Sequence, residues 1–558
     1  MLNNRGIRYF FHKNVPQVTI PDESTLCKHY LKDVYESVVE KVQCDLAAVK
    51  TICLLFDGWT DKHHVIHYLG IRVQFITDDW TGKVITLSVK PCAGDSDSMC
   101  DHVQKELQQF FPDYKHKQLF STHDGASAMK KASRLLKVTG FSHCVAHAIH
   151  LLLTSDAMTR VPDIMALLLK CKNIVTTLHF KAEVLESEVT ATNDVIACAE
   201  LLDKISDIKS VLDADDQFCI DENDEPMEEE SVDIGDESAN VATGLHHFKK
   251  VHRLQNEVPT RWNSSLSMID SLLHLRAEVT NSLKQTGHYD KCLKAHEWAV
   301  LEELRNFLQS FASMTDLVSS HITYLSLIPL VRAEVIDACK ASMKDCDEVK
   351  SLKKLILNNI DKRLPLTNDV NLSTLMDPST KSLVSLSHDE KHEPVYSAVV
   401  AASQPKASTS SDADQQGESG QSTSATYNAS QLPPSGNSQT EQPPVSKKMK
   451  LLLKHTPQPN ESEADSRRIR NEINNYLQYI PGDQEDDPLL FWKRGLFPSL
   501  EEAAKSCLTR SASSVPVENL FSTMGLLLNG KRSTLAPHRA NWLSFIHDNY
   551  ATYFDVDL

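Results

Sequence analysis

No apolar run in this sequence approaches the ~20 residues that a membrane-crossing helix needs. The opening residues, MLNNRGIRYFFHKNV, also lack the long apolar segment of a secretory leader. The expectation is a soluble, intracellular protein with no membrane partner. Thirteen cysteines are present, but paired short spacings are missing and the count is odd, which fits reduced thiols in a cytosolic or nuclear compartment. No zinc finger is found, because Cys27 is not followed by a second ligand at finger spacing. Basic residues are absent from Asp213 to Glu237, a stretch with 13 acidic ones. Spread evenly, the formal charge of −17 would argue against a nucleic-acid partner. Most of it sits in this stretch, so 213–240 reads as a solvated, disordered acidic insert and the objection lapses. At 558 residues, 41% apolar and 24% charged, the chain has material for about three or four domains.

What is present is organised around Thr51 to Thr60, TICLLFDGWT. Ile52 to Phe56 are consecutive apolar residues, the pattern of a strand buried on both faces, and the run ends on Asp57. A cap for the Asp57-Gly58 turn is the plain explanation. A carboxylate held open at a sheet edge is the other, and it gains because a second Asp and a distant Glu recur in comparable settings. Leu69, Ile71, Val73 and Phe75 alternate with Gly70, Arg72 and Gln74, a half-buried strand, and Val84 to Val89 completes an antiparallel meander. Met99, Val103, Leu107 and Phe110 share one helical face. Leu119 to Asp124 is a short strand ending on the second carboxylate, with Gly125 behind it. Three strands, a helix, a strand and a helix, with Asp closing the first and fourth strands, predict an RNase H-like α/β fold.

Phe141 to Leu153 reads as an apolar helix carrying Cys144, His147 and His150 roughly on one face. A structural zinc needs four ligands and no second Cys/His pair lies nearby, so packed histidines supporting an acidic site come first. From 161 to 385 the pattern is helical. Within it, Arg261-Trp262 either anchors a helix start or sets an aromatic against a base with Arg261 on phosphate; the residues alone favour the anchor. Residues 386–470, rich in Ser, Gln, Pro and Thr, read as a disordered linker. Ser446 to Lys454 near its end is a basic cluster of the nuclear-import kind. Ser513-Ser-Val-Pro-Val-Glu518 opens a helix with Pro516 and Glu518 in its first turn, where a carboxylate favourably meets the helix dipole. Pro537 to Phe554 carries Leu543, Ile546, Tyr550 and Phe554 along a stripe. That exceeds what so small a block buries alone, so the stripe is a candidate dimer face, and Trp492 and Phe521 are grouped with it.

Five motifs occur in one order: Asp-Gly-Trp-Thr at 57–60, Asp-Gly-Ala-Ser at 124–127, Cys-Val-Ala-His at 144–147, Val-Pro-Thr-Arg-Trp-Asn-Ser at 258–264, and Ser-Ser-Val-Pro-Val-Glu-Asn-Leu-Phe-Ser-Thr-Met-Gly at 513–525. Together they resemble hAT-superfamily transposases, especially the vertebrate BED-finger proteins derived from them. The resemblance runs over roughly residues 20–558 outside the acidic insert and linker. It implies a helical lead-in at 1–48 and a first part of an RNase H-like catalytic core at 49–160. A large all-α insertion at 161–385 would interrupt that core, and a C-terminal dimerisation block at 471–558 would complete it. It also implies that Asp57, Asp124 and Glu518 form an acidic triad holding Mg²⁺ or Mn²⁺, since phosphodiester chemistry uses paired divalent ions about 3.5–4 Å apart. Cys144 and His147 would support that site. Arg261 and Trp262 would meet DNA near the cleavage point, with Lys531 and Arg532 extending a basic stripe. The implied partners are DNA and further copies of the chain, as a homodimer or higher oligomer, in the nucleus, with no small-molecule substrate. The family's BED finger is not found, which is compatible with a host-adopted protein and equally with an incomplete N-terminus. The expected function is a transposase-derived nuclear protein that dimerises and associates with DNA or chromatin in transcription regulation. The alternatives are an active metal-dependent transposase and an assembly scaffold without DNA contact.

Overall fold

The computed structural model describes residues 13, 25–61, 65–192, 254–255, 262–403, 461–482, 487–528 and 535–554. The acidic insert, the basic cluster at 446–454, Arg261, Lys531 and Arg532 lie outside them.

The apolar run at 52–56 forms the middle of β1 (Thr51–Asp61). Alternation sends Ile52, Leu54 and Phe56 into one core and Cys53 and Leu55 into another, so both faces of the strand are covered. β2 (Ile66–Ile76) and β3 (Gly82–Pro91) pair antiparallel in sequence, while β4 (Gln118–His123) and β5 (Gly140–His143) add in parallel on the other side of β1. The order across the five-stranded sheet is β3-β2-β1-β4-β5. Parallel pairing requires a crossover, supplied between β3 and β4 by a helix at Ser96–Phe110, whose start is capped by the Asp95 carboxylate.

Helices then take over. With α1 at Leu31–Ala48 and the crossover helix as α2, the sheet region adds α3 (Ser127–Leu135) and α4 (Val145–Leu153). Beyond it come α5 (Pro162–His179), α6 (Trp262–His274), α7 (Arg276–Gln285), α8 (Ala295–Val318), α9 (Leu327–Ala338), α10 (Asp347–Arg363) and α11 (Asn368–Leu375). The later part contains α12 (His388–Ser403), α13 (Glu461–Gln478), α14 (Pro488–Trp492), α15 (Glu501–Leu508), α16 (Val515–Leu527) and α17 (Pro537–Tyr553). No described helix is long and apolar enough to cross a membrane.

Three apolar clusters hold these elements. One side of the sheet packs on α4, the helical body and α16; the other packs on α1, α2, α3 and Phe545 of α17. A third joins Trp80 and Leu375 to Tyr476, Trp492 and Leu508.

Four expectations change. Residues 141–153 are not one helix, because the outer edge of β4 is open and Gly140 to His143 pair with it before α4 begins. The polar face of β2 is not solvated: Arg72 and Gln74 are buried under the C-terminal block. Two stretches assigned to the linker are helical, α12 and α13, and they pack together and on α15 and Phe497 to Leu500. Finally, of the proposed dimer face, Trp492 and Phe521 are interior, while Leu543, Ile546 and Tyr550 are half-buried. Trp492 is 1% exposed, with Nε1 donating to the Met376 carbonyl at 2.9 Å. Phe521 is buried against Trp59 and the β2 backbone. The half-buried Ile546 and Tyr550 pack on the second cluster. The last helix packs on β3 and α1 of the same chain, which covers part of the apolar surface of the block.

Candidate active site

β1 does not end at Asp57. It continues to Asp61 against β2, with Asp57 opposite Gly70, but its pairing with β4 stops at Leu55–Thr122. From there β1 and β4 diverge, and Asp57 stands at the opening. Its Oδ1 accepts the Gly58 amide at 2.7 Å. Asp124 follows the last residue of β4, and its Oδ1 accepts the Ala126 amide at 2.9 Å. The turn behind it needs Gly125, whose φ is +86° and whose added Cβ would lie 3.0 Å from His143 Nδ1. His123 fixes the same turn, accepting the Gly125 amide on Nδ1 at 3.1 Å.

The third carboxylate arrives from 394 residues further on. The segment before α16 is stitched to the sheet: Thr122 Oγ1 donates to the Ser511 carbonyl at 2.7 Å, and the Ser511 amide donates to Cys53 Sγ at 3.4 Å. The Ser514 amide donates to Cys144 Sγ at 3.3 Å, and the Val145 amide reaches the Ala512 carbonyl at 2.9 Å. Pro516 then starts α16, and its carbonyl accepts Arg72 Nη1 at 2.7 Å. Gly70 admits the helix, since a Cβ there would meet Val517 at 2.7 Å and Phe521 at 2.9 Å. Glu518 lies in the first turn of α16.

The Asp57 carboxyl responds to both of the other acids. Burial, then the Asp124 carboxylate, and to a lesser degree Glu518 push the Asp57 carboxyl up to about 8, against the Gly58 amide that opposes them. Burial and the neighbouring His143 and Lys130 hold His123 neutral down to about 3. His143 is shifted the same way, by burial and Lys130. The Asp57 carboxyl is thus within electrostatic reach of Asp124 and Glu518, the two acids with which the resemblance groups it. Their donor chemistry, three carboxylates, is what a hard divalent ion takes. As they stand, no group of three or more His, Cys, Asp or Glu among the described residues is gathered closely enough to hold a metal.

Beside Glu518 a cavity of ≈ 270 Å³ is lined by His147, His150, Trp262, Asn263 and Asn519, among others. Cys144 is fully buried as the anchor of the 511–514 segment, which is a supporting position. His150 Nδ1 accepts the Trp262 amide at 3.2 Å, tying α4 to the start of α6. Trp262 is only 3% exposed. It is the anchor of a helix start, and its ring lacks the open face that stacking on a base requires. Sequence reasoning passed over Arg72, Thr122 and His123. His123 had a signal, its place directly before Asp124; Arg72 and Thr122 had none.

The sheet end that carries Asp57 and Asp124 is closed by the C-terminal helical block. Residues 472–550, most of that block, match the hAT family C-terminal dimerisation region. The match supports an hAT-superfamily, transposase-derived protein that dimerises. A search of curated proteins finds none that matches the chain.

Proposed function

We propose that this is a transposase-derived nuclear protein that dimerises through its C-terminal block and associates with DNA in transcription regulation. Its sheet is read as an RNase H-like frame, with the helical body as an insertion between β5 and the segment that carries Glu518. The strand order, with three antiparallel strands followed by two parallel ones, supports that reading. What supports the DNA assignment is the reach of the Asp124 and Glu518 carboxylates to Asp57, which stands where β1 and β4 part. Three acids do not attract a polyanion by themselves, so the arrangement makes sense as the residue of a phosphodiester site. The nuclear assignment rests on the basic cluster Ser446 to Lys454.

A second reading, a working metal-dependent DNA transposase, is favoured by the raised Asp57 carboxyl. A group that holds a proton against two facing carboxylates is one from which a cation can displace that proton. Mg²⁺ or Mn²⁺ would be held by Asp57, Asp124 and Glu518 and would supply the charge that polarises a phosphate oxygen. Asp57 would deliver the ligand nearest the β1–β4 opening, and Cys144 and Arg72 would keep Glu518 in place.

The test is DNA binding by the full chain in chelator and in Mg²⁺ or Mn²⁺, run beside nicking and strand-transfer assays on Asp57→Asn and Glu518→Gln. Salt-dependent binding without nicking is the expected result. Nicking abolished in both variants would establish the second reading. A folded dimer that neither binds nor cuts DNA would overturn both and leave a scaffold.

A further inference from the structure

The segment Gly125 to Gly140, which carries α3, holds four basic residues, Lys130, Lys131, Arg134 and Lys137, and no acid, in a chain with 75 acidic and 58 basic residues. Solvated surfaces ordinarily mix the two signs. Helical geometry puts the charges of α3 on one side. At about 100° per residue, Lys130 and Arg134 are about 40° apart, and Lys131 lies about 100° from Lys130. Met129, Ala132 and Ser133 are buried on the other side. Lys131 pairs with Asp97 of α2 at 3.0 Å, but among the described residues no acid pairs with Lys130 or Arg134. The helix dipole favours Arg134 in the last turn; it does not favour Lys130, which stands nearer the other end.

This face borders the opening between β1 and β4. The Ala126 amide reaches the Asp124 carboxylate, and one turn on the Lys130 amide donates to the Ala126 carbonyl at 3.0 Å. A Cβ on Gly58, the residue after Asp57, would lie 3.5 Å from the Met129 methyl, so α3 packs beside β1 where it parts from β4. The charge of Lys130 is felt by His123, next to Asp124, and by His143, which stands against Gly125.

We propose that Lys130 and Arg134 form a phosphate track along which the backbone of a DNA strand enters the opening between β1 and β4. This rests on reading that opening as a phosphodiester site, and names residues that position the strand there. The acids alone repel a polyanion, so a strand that approaches Asp57 and Asp124 needs cations beside them that no acid of the protein already occupies. Lys130 supplies one next to the Asp124 turn, and Arg134 a second about 6 Å further along the helix. Both act on phosphate and carry no information about base sequence, so the track is indifferent to it.

Fluorescence anisotropy of the full chain on two duplexes of unrelated sequence, in chelator across a salt series, tests this. Lys130→Gln and Arg134→Gln should each lower the slope of log affinity against log salt by about 0.9, which is about an eightfold weakening near 0.1 M salt, on both duplexes alike. Lys130→Arg should restore binding, and Lys284→Gln on α7, which packs on α5 and α6, should match wild type. Wild-type slopes in both Gln variants would overturn the track and leave DNA association standing. A loss confined to one duplex would mark base reading and overturn a backbone role, and an equal loss in Lys284→Gln would reduce the effect to net charge. No binding by a folded wild type would overturn the DNA reading and the track together. Should a Gln variant misfold, acetylation of the wild-type lysines with and without duplex gives the answer. Protection of Lys130 but not of Lys284 supports the track, and equal labelling of Lys130 in the two conditions overturns it.

Discussion

Asp57 concentrates the chemistry of the site into one carboxyl. Covered by its surroundings and faced by Asp124 and Glu518, it keeps its proton to about pH 8 in the folded chain, against an ordinary value of 3.8. Between those two values the folded state binds a proton that the unfolded state has released. The contribution of Asp57 to stability therefore falls as pH climbs through that window, and levels off above 8. Asn has the shape of the protonated acid and no proton to lose. In chelator, Asp57→Asn should match wild type near pH 4, pull ahead progressively up to pH 8, and keep a constant lead beyond. The slope can be no steeper than about 1.4 kcal/mol per pH unit. Urea unfolding of both proteins at pH 5, 7 and 9 measures it, and a difference that does not change with pH would show that this carboxyl titrates normally. This much of the site was legible only in part, because an Asp directly after a buried apolar run reads first as a turn cap and gained weight from the second Asp and the distant Glu in comparable settings. The two carboxylates that perturb it were recognised by type and context, but their distance from it is a property of the fold.

Among the elements, β3 has a problem, for it is one of the two edges of the sheet. An edge strand leaves amides and carbonyls open to pairing with other chains. Here α17 lies along it and answers with side chains. Asn549 Oδ1 accepts the Thr86 amide at 3.0 Å while its Nδ2 donates to the Thr86 carbonyl at 2.8 Å, and Asn541 Oδ1 accepts the Val89 amide at 2.7 Å. Asp548 of the same helix pairs with buried Arg72 at 2.6 Å. Asn549→Ala should cost about 2–6 kcal/mol, since it strands a buried donor and a buried acceptor at roughly 1–3 kcal/mol each. It should also raise aggregation on warming. Chemical unfolding with light scattering measures both, and a loss under ~1 kcal/mol would mean that water replaces the Asn amide. None of this could be read in the sequence. The stripe at Leu543, Ile546 and Tyr550 is only half-buried, and the face that α17 buries carries asparagines, which look like ordinary surface until the strand they cap is known. For β5 the difficulty was its length, four residues with only Phe141 strongly apolar, so that the longer helical signal of α4 absorbed it. Composition hid α12 in the linker, where Pro394 inside the helix speaks against the conformation it adopts.

At the scale of the whole chain, the C-terminal block is as much a part of the sheet domain as of the helical body. Phe545 sits among Tyr35 and Phe110, with ring centroids 4.9 and 5.7 Å away. Trp492 is bonded to Met376, the 511–514 segment to Thr122 and Cys144, and α16 to Arg72. Such contacts join residues hundreds of positions apart, so the order of the chain says little about what each end packs against; Trp492 looked available for a partner for this reason. The same contacts make the peptide connection across 404–460 dispensable once the protein has folded. Many buried, mutually dependent contacts hold the block, whereas the connection acts mainly by keeping its effective concentration high. A specific protease site inserted within 404–460 and cut after folding should leave 1–403 and 461–558 migrating as one particle, with an unfolding transition that becomes dependent on concentration. Size exclusion under native conditions, followed by the same run in denaturant, separates the outcomes. Release of the 461–558 fragment without denaturant would show that the block is tethered to the sheet and not built into it, and Glu518 would then lack the fixed position that the site requires.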